Sequence, residues 1–458
     1  MKRRLAIIGA GLCGSLLTAL LRDQFEVVLV EQGRKSKPLF TDIESRDGEL
    51  NSSINRAEGL GGTTNYWHNA LIELTSSDLR KAGLSSGSLE PYYSKAWKLF
   101  LSDRELEECA RVRDANRDSV ENESCEVAHM VLPRNRNNMW ALTQQRYPGA
   151  PVNVVYGRAE AIVPAGPLGA GHVVVATDSG KVQVDADCFL VCAGGLGTPP
   201  LLARSLGQTT GLLAGYHDHP MAYVAKVKLK PNSRLKKVSC TTTETAEVRA
   251  GLVYESDGIK TVVYLRPAID LSLRSITGAT RFILSDLRND PFSPKKILTL
   301  LANLEAVREA ILFKTKFGFK GDYYSILLLG EQTPLPNRGL TLEPGKKPRL
   351  NWQVTADERK AYADGYARFM RQFADDIIEH NEIAVDQWDF RTAAHHSGAS
   401  GQFLSDPGEL NLEFFAARGL PNTFVCDGSL LRAAGIANSG LTLAAMSYRL
   451  AELLAQAA

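Results

Sequence analysis

Residues 5–31 read Leu-Ala-Ile-Ile-Gly-Ala-Gly-Leu-Cys-Gly-Ser-Leu-Leu-Thr-Ala-Leu-Leu-Arg-Asp-Gln-Phe-Glu-Val-Val-Leu-Val-Glu. A short apolar strand, Leu5 to Ile8, runs into the turn Gly9-Ala10-Gly11-Leu12-Cys13-Gly14. A helical run from Ser15 to Arg22 follows, and a second buried strand from Phe25 to Val30 ends on Glu31. This is the G-x-G-x-x-G order of a dinucleotide-binding turn. Gly9 permits the tight turn, Gly11 lets a pyrophosphate approach the backbone, and Gly14 lets helix and strand pack closely. The helix start offers free N–H groups and a partial positive charge to the phosphates. Glu31 can accept hydrogen bonds from ribose hydroxyls and would repel a 2′-phosphate, which argues against NADP. The turn by itself leaves FAD and NAD both open.

Around this stretch the chain is ordinary for a globular protein. It has 458 residues, enough for two or three domains, with 44% hydrophobic and 23% charged residues, so a disordered chain is excluded. Fifty-three basic and 51 acidic residues leave a formal charge of +2, so nothing points to a nucleic-acid partner. Seven cysteines without a C-x-x-C pair argue against a disulfide framework or a zinc site, so no metal is expected. Lys2, Arg3 and Arg4 before an apolar stretch imitate a secretion signal, but Gly9, Gly11 and Gly14 interrupt it, and a cytoplasmic protein without a membrane span is expected.

Three further stretches bear on the cofactor. Gly59-Leu-Gly61-Gly62-Thr63-Thr-Asn65-Tyr-Trp67-His-Asn69 sets glycines beside small hydroxyl residues, with Asn65 and Trp67 as a polar edge or aromatic wall for a flat ring. Cys188 to Leu202 reads as a strand, the turn Ala193-Gly194-Gly195, and a helix entered through proline. At the C-terminal end Asp427-Gly428 follows the strand Thr423 to Cys426. Asn438-Ser439-Gly440-Leu441 then opens a helix whose Leu443, Met446, Leu450 and Leu453 fall on one face.

Together with Tyr216-His217-Asp218-His219-Pro220, Glu331-Gln332-Thr333-Pro334 and His395-His396-Ser397-Gly398-Ala399, these blocks resemble the glucose-methanol-choline (GMC) family of FAD-dependent oxidoreductases, in the family's order over nearly the whole chain. The resemblance implies an α/β fold: a discontinuous Rossmann-like FAD-binding domain (residues 1–220 and 391–458) and an α+β substrate domain (221–390) with a mostly antiparallel sheet. It implies FAD held by Gly9, Gly11, Gly14, Glu31, Gly61, Gly62, Thr63, Asn65, Trp67, Ala193, Gly194, Asp427, Gly428, Gly440 and Leu441. In the family a His opens an H-x-x-G-T element and a His or Asn opens N-P-x-L-T. His395 and Asn438 stand in those registers, and His396 is a rival for the base. The implied reaction is oxidation of a CH–OH group in a small hydroxylated, alcohol-like or sugar-like metabolite. His395 takes the hydroxyl proton, hydride passes to flavin N5, and Asn438 holds the substrate oxygen. An electron acceptor (oxygen, a quinone or another carrier) is then required.

The sequence departs from the family in places. Ala399 replaces the Thr, and Ser439-Gly440 interrupts the second element. Tyr66 occupies the place where some members carry a flavin-linked His, so a non-covalent FAD is expected. Residues 103–136 are charged without clear periodicity and read as a lid excursion. Residues 294–316 read as a long helix with apolar and basic content, and 356–379 as a second amphipathic helix. A lyase of the same fold, a non-catalytic flavin-binding protein and an NAD-only dehydrogenase stand as alternatives.

Overall fold

The computed structural model describes residues 2–39, 42–45, 56–85, 87–120, 125–134, 138–165, 171–273, 298, 304–315 and 321–457. The apolar runs at the N-terminus become the centre of a five-stranded parallel sheet. Its order is Thr423–Val425, Cys188–Val191, Arg4–Ile8, Glu26–Glu31, Asn153–Tyr156. Leu5, Ile7, Leu29 and Leu190 are fully buried, as expected for parallel strands covered on both faces. Helices Leu12–Leu21 and Gly440–Ala457 pack against each other on one side, and the antiparallel strands Arg158–Val163, Gly171–Thr177 and Gly180–Ala186 form a separate small sheet. The two ends of the chain thus meet in one sheet, because Val191 pairs with Ile8 on one side and with Val425 on the other.

A second layer is an eight-stranded antiparallel sheet. The path Ala246–Ser256, Ile259–Pro267, Tyr323–Gly330, Pro220–Leu229, Ile377–Glu382 is its body. The architecture is therefore two-domain α/β, a parallel Rossmann-like sheet beside an antiparallel one. Helix Ala356–Gln372 covers one face of the large sheet, started by a capping box: Glu358 N–H donates to Thr355 Oγ1 (3.1 Å) and Thr355 N–H to Glu358 Oε2 (2.9 Å). Two buried ion pairs, Lys260–Asp78 (2.7 Å) and Arg338–Glu358 (2.9 Å), brace this layer.

Two elements differ from the sequence reading, and a third is described only in part. The helix expected over 356–379 stops at Gln372, and Ile377–Glu382 is a strand on the edge beside Pro220–Leu229. The charged stretch 103–136, read without clear periodicity, carries regular structure in its described residues. They give helix Asp103–Val120 and strand Glu126–Pro133, which pairs with Ala246–Ser256, so this segment extends the large sheet. Of the helix expected over 294–316, the described part is Leu304–Thr315, and residues 294–297, 299–303 and 316 lie outside the described residues. No helix among the described residues is long and apolar enough to cross a membrane.

Candidate active site

A cleft opens at the carboxyl ends of the parallel strands, where the fold class places ligands. It is lined by Gly9, Gly11, Glu31 and Arg56, by Gly62, Thr63, Ala193 and Gly194, and by His395, His396, Asp427, Gly428 and Ser439. Gly14 allows the first turn to close: a Cβ there would fall 1.8 Å from the Gly9 carbonyl oxygen. Gly11 is different, because its missing Cβ would meet nothing within 4 Å and would project into open space. The buried Glu31 carboxylate accepts N–H bonds from Ala10 (2.8 Å), Gly59 (2.8 Å) and Gly33 (3.2 Å), which ties the glycine turn to the second loop.

In that second loop Gly61 donates its N–H to the Ala10 carbonyl at 2.8 Å. The Asn65 amide donates to the Leu60 (3.1 Å) and Gly62 (2.9 Å) carbonyls of its own loop and accepts from Asn138 outside it (3.0 Å). Trp67 stands behind Gly440, whose Cβ would come 2.9 Å from the indole ring, and its buried Nε1–H has no hydrogen-bond partner among the described residues. Asn438 likewise carries a buried Oδ1 without a partner among the described residues. Gly440 and Leu441 form the start of the C-terminal helix, while their neighbours Ser439 and Leu443 line the cleft.

Asp427 joins the two remaining turns. Its carboxylate accepts from Gly194 N–H (2.9 Å), the Thr198 hydroxyl (2.5 Å) and Ser429 N–H (2.9 Å). Burial pushes its pKa up, and these donors act against that rise. The His396 main chain is clamped between the turns, since a Cβ on Gly195 or Gly428 would come 2.0 or 2.4 Å from its carbonyl oxygen.

The structure also brings in residues that sequence reading quoted but gave no role. Segments 216–219 and 392–397 lie together, held by reciprocal main-chain bonds between His217 and Ser397 (3.0 Å each). His395 Nδ1 is 2.8 Å from His219 Nδ1, and His219 Nε2 is 2.9 Å from the Gly435 carbonyl oxygen. His396 Nδ1 is 2.7 Å from the Tyr216 hydroxyl. Asp218 sits beneath the pair and accepts from the N–H groups of His219 (2.6 Å) and His395 (3.0 Å), the Tyr216 hydroxyl (3.2 Å), and the Thr392 hydroxyl. Burial alone would raise Asp218, but His396, His395 and Thr392 outweigh it and hold it below the usual carboxylate value. Burial pushes His395 down to about 3, with His219 adding to the effect, and lowers His219 itself. The available signal was the density of His and Asp in Tyr216–Pro220, but its contact with His395 crosses some 176 residues of chain and leaves no local pattern.

Asp218, His219 and His395 bring ligand-type atoms within 4.8 Å of one another. The arrangement suits hydrogen bonding better than a cation. Asp218 already takes four donors, and the two imidazole nitrogens stand at hydrogen-bond distance from each other.

The site fits FAD on three observations: the open face of Gly11, the unpartnered polar atoms of Trp67 and Asn438 beside the C-terminal helix start, and one cleft running from Glu31 to His395. No family model and no curated protein match the sequence. Solved structures do match its fold. A pyridoxine 4-oxidase from Mesorbium loti is 16% identical, with TM-score 0.58, over 98% of this chain and 99% of that one. A formate oxidase variant from Aspergillus oryzae RIB40, concerned with FAD modification, is 13% identical with TM-score 0.59 over 99% and 98%. An FAD-dependent oxidoreductase from Chaetomium thermophilum, in complex with a fragment, is 14% identical with TM-score 0.59 over 100% and 99%. At these identities the likeness is one of fold alone, a fold that this chain shares over nearly its whole length with these three proteins.

Proposed function

We propose that the protein is an FAD-dependent oxidoreductase that oxidises a CH–OH group of a small alcohol-like or sugar-like substrate, with His395 as base and Asn438 as hydrogen-bond partner. The observation that carries this reading is the single cleft that joins a ribose-type acid, Glu31, to an imidazole, His395. Gly11, Glu31, Gly62, Thr63, Gly194, Asp427 and Gly428 would hold the cofactor, which supplies a two-electron acceptor when bound. Tyr66, in the place of a linking His, supports non-covalent attachment.

His395 holds a neutral imidazole at the cleft and takes the substrate hydroxyl proton. Asn438 fixes the substrate oxygen through its carboxamide. The first N–H groups of the helix Gly440–Ala457 polarise the same end of the cleft before reaction starts. The odd number of cysteines and the lack of a C-x-x-C pair are what support a reducing, cytoplasmic compartment. An oxygen, quinone or other carrier completes the turnover.

The test is anaerobic titration of the purified protein with sugars, aminosugars, polyols and simple alcohols, read as loss of the flavin band near ~450 nm. Acid precipitation should release the flavin. His395→Ala should slow reduction by ~10²–10⁴-fold at unchanged flavin content, with His396→Ala as the control. A protein that purifies without flavin and binds none, or a His395→Ala variant as fast as the parent, sinks the reading.

A further inference from the structure

We infer that His219 is a positioning residue that holds His395 in the Nδ1–H tautomer and so leaves Nε2 as the bare, proton-accepting nitrogen. The inference rests on the reading of His395 as the base and adds the residue that makes it one. It follows from donor and acceptor chemistry. A peptide carbonyl only accepts, so the 2.9 Å contact with Gly435 requires a proton on His219 Nε2. A neutral His219 then has a lone pair on Nδ1. His395 Nδ1 lies 2.8 Å from that lone pair, so the proton between the rings belongs to His395. The remaining nitrogen of His395, Nε2, has no proton, and no described residue takes it in a hydrogen bond.

A doubly protonated ring would break this order. Burial lowers both imidazoles, and His395 to about 3, which keeps the pair neutral near pH 7. The far end of the chain of contacts is also fixed. Gly435 adopts φ +52°, and a Cβ there would fall 2.3 Å from the carboxylate carbon of Asp78. Asp78 is fully buried and paired with Lys260 at 2.7 Å. The main chain of His219 is held as well, because its backbone N–H donates to Asp218 Oδ1 at 2.6 Å. Gly435, whose carbonyl meets one imidazole, is thus packed against the buried ion pair, and that imidazole meets the next.

Nitrogen NMR of protein labelled with ¹⁵N-histidine tests this without turnover. His395 should show a protonated Nδ1 and a pyridine-like Nε2, and His219 the reverse, with signals assigned by their loss in His395→Ala and His219→Gln. His219→Leu removes the acceptor. It should shift His395 toward the Nε2–H form and slow flavin reduction by ~10²-fold with little change in KM. His219→Gln offers an amide oxygen to His395 and an N–H to Gly435, and should restore the tautomer and most of the rate. A proton on Nε2 of His395 in the parent protein overturns the inference, as does a His219→Leu variant that reduces flavin at the parent rate. If His219→Leu does not fold, the parent spectrum and His219→Gln decide. If no hydroxylated compound reduces the flavin, the functional reading fails, while the parent spectrum still decides the tautomer.

Discussion

Two glycines of one turn separate folding from cofactor binding. Gly14 packs on the Gly9 carbonyl with no room for a methyl, so Gly14→Ala should strain the strand–helix junction by about 1–3 kcal/mol, read as a lowered urea midpoint. Gly11 faces open space, so Gly11→Val should leave the apo midpoint nearly unchanged while flavin content after purification falls sharply. Equal loss of stability in both variants would show that the turn is only a packing device. The two roles were legible from the spacing of Gly9, Gly11 and Gly14. The role of His219 was not, because a tautomer depends on which carbonyl sits across from a ring nitrogen, and Gly435 reaches that place only through the fold. Asn65 shows a second gap: its amide ties its own loop together and links it to Asn138, partners that its residue type did not reveal.

At the scale of elements, junctions carry more than their exposure suggests. Thr355 and Glu358 cap the helix Ala356–Gln372, and Glu358 also receives both Arg338 Nη2 contacts at 2.9 Å. Thr355→Ala loses the cap alone and should cost ~1 kcal/mol. Glu358→Gln leaves a buried guanidinium short of its counter-charge and should cost ~3–5 kcal/mol, so the two midpoints measured together separate cap from ion pair. The strands of the parallel sheet were readable because continuous apolar runs between glycine turns have few other solutions. Two other elements were misread. Ile377–Glu382 carries an exposed polar edge, so its sequence continues a helical pattern without a period-two signal. Strand Glu126–Pro133 is recruited by Ala246–Ser256 over a separation of more than a hundred residues, a pairing no local window contains.

Across the whole molecule, buried neutral histidines couple folding to acid. Burial takes His217 down to about 4 and His395 down to about 3, while the same groups in an unfolded chain titrate near ~6.5. Between those values the unfolded chain binds more protons than the folded one, so stability rises with pH there and is lost as pH falls below ~6.5. Each such histidine contributes a slope of ~1.4 kcal/mol per pH unit inside its window. Asp218, held low, acts in the same direction only once the pH nears the ordinary carboxylate range, as protonation begins to cost its contacts. Asp427, raised by burial, acts oppositely just above that range and offsets part of the loss. Urea unfolding of the apo protein at pH 7.5, 6.0 and 5.0 should therefore show a progressive fall in midpoint. His217 hands only its Nδ1–H to the Gly215 carbonyl at 3.1 Å, a bond that a carboxamide can replace. His217→Gln should thus flatten the acid slope while costing little at pH 7.5. A midpoint that holds level from pH 7.5 to 5.0 in the parent protein would mean that these imidazoles take up protons within the fold as readily as in the unfolded chain, against the lowering that burial imposes on them.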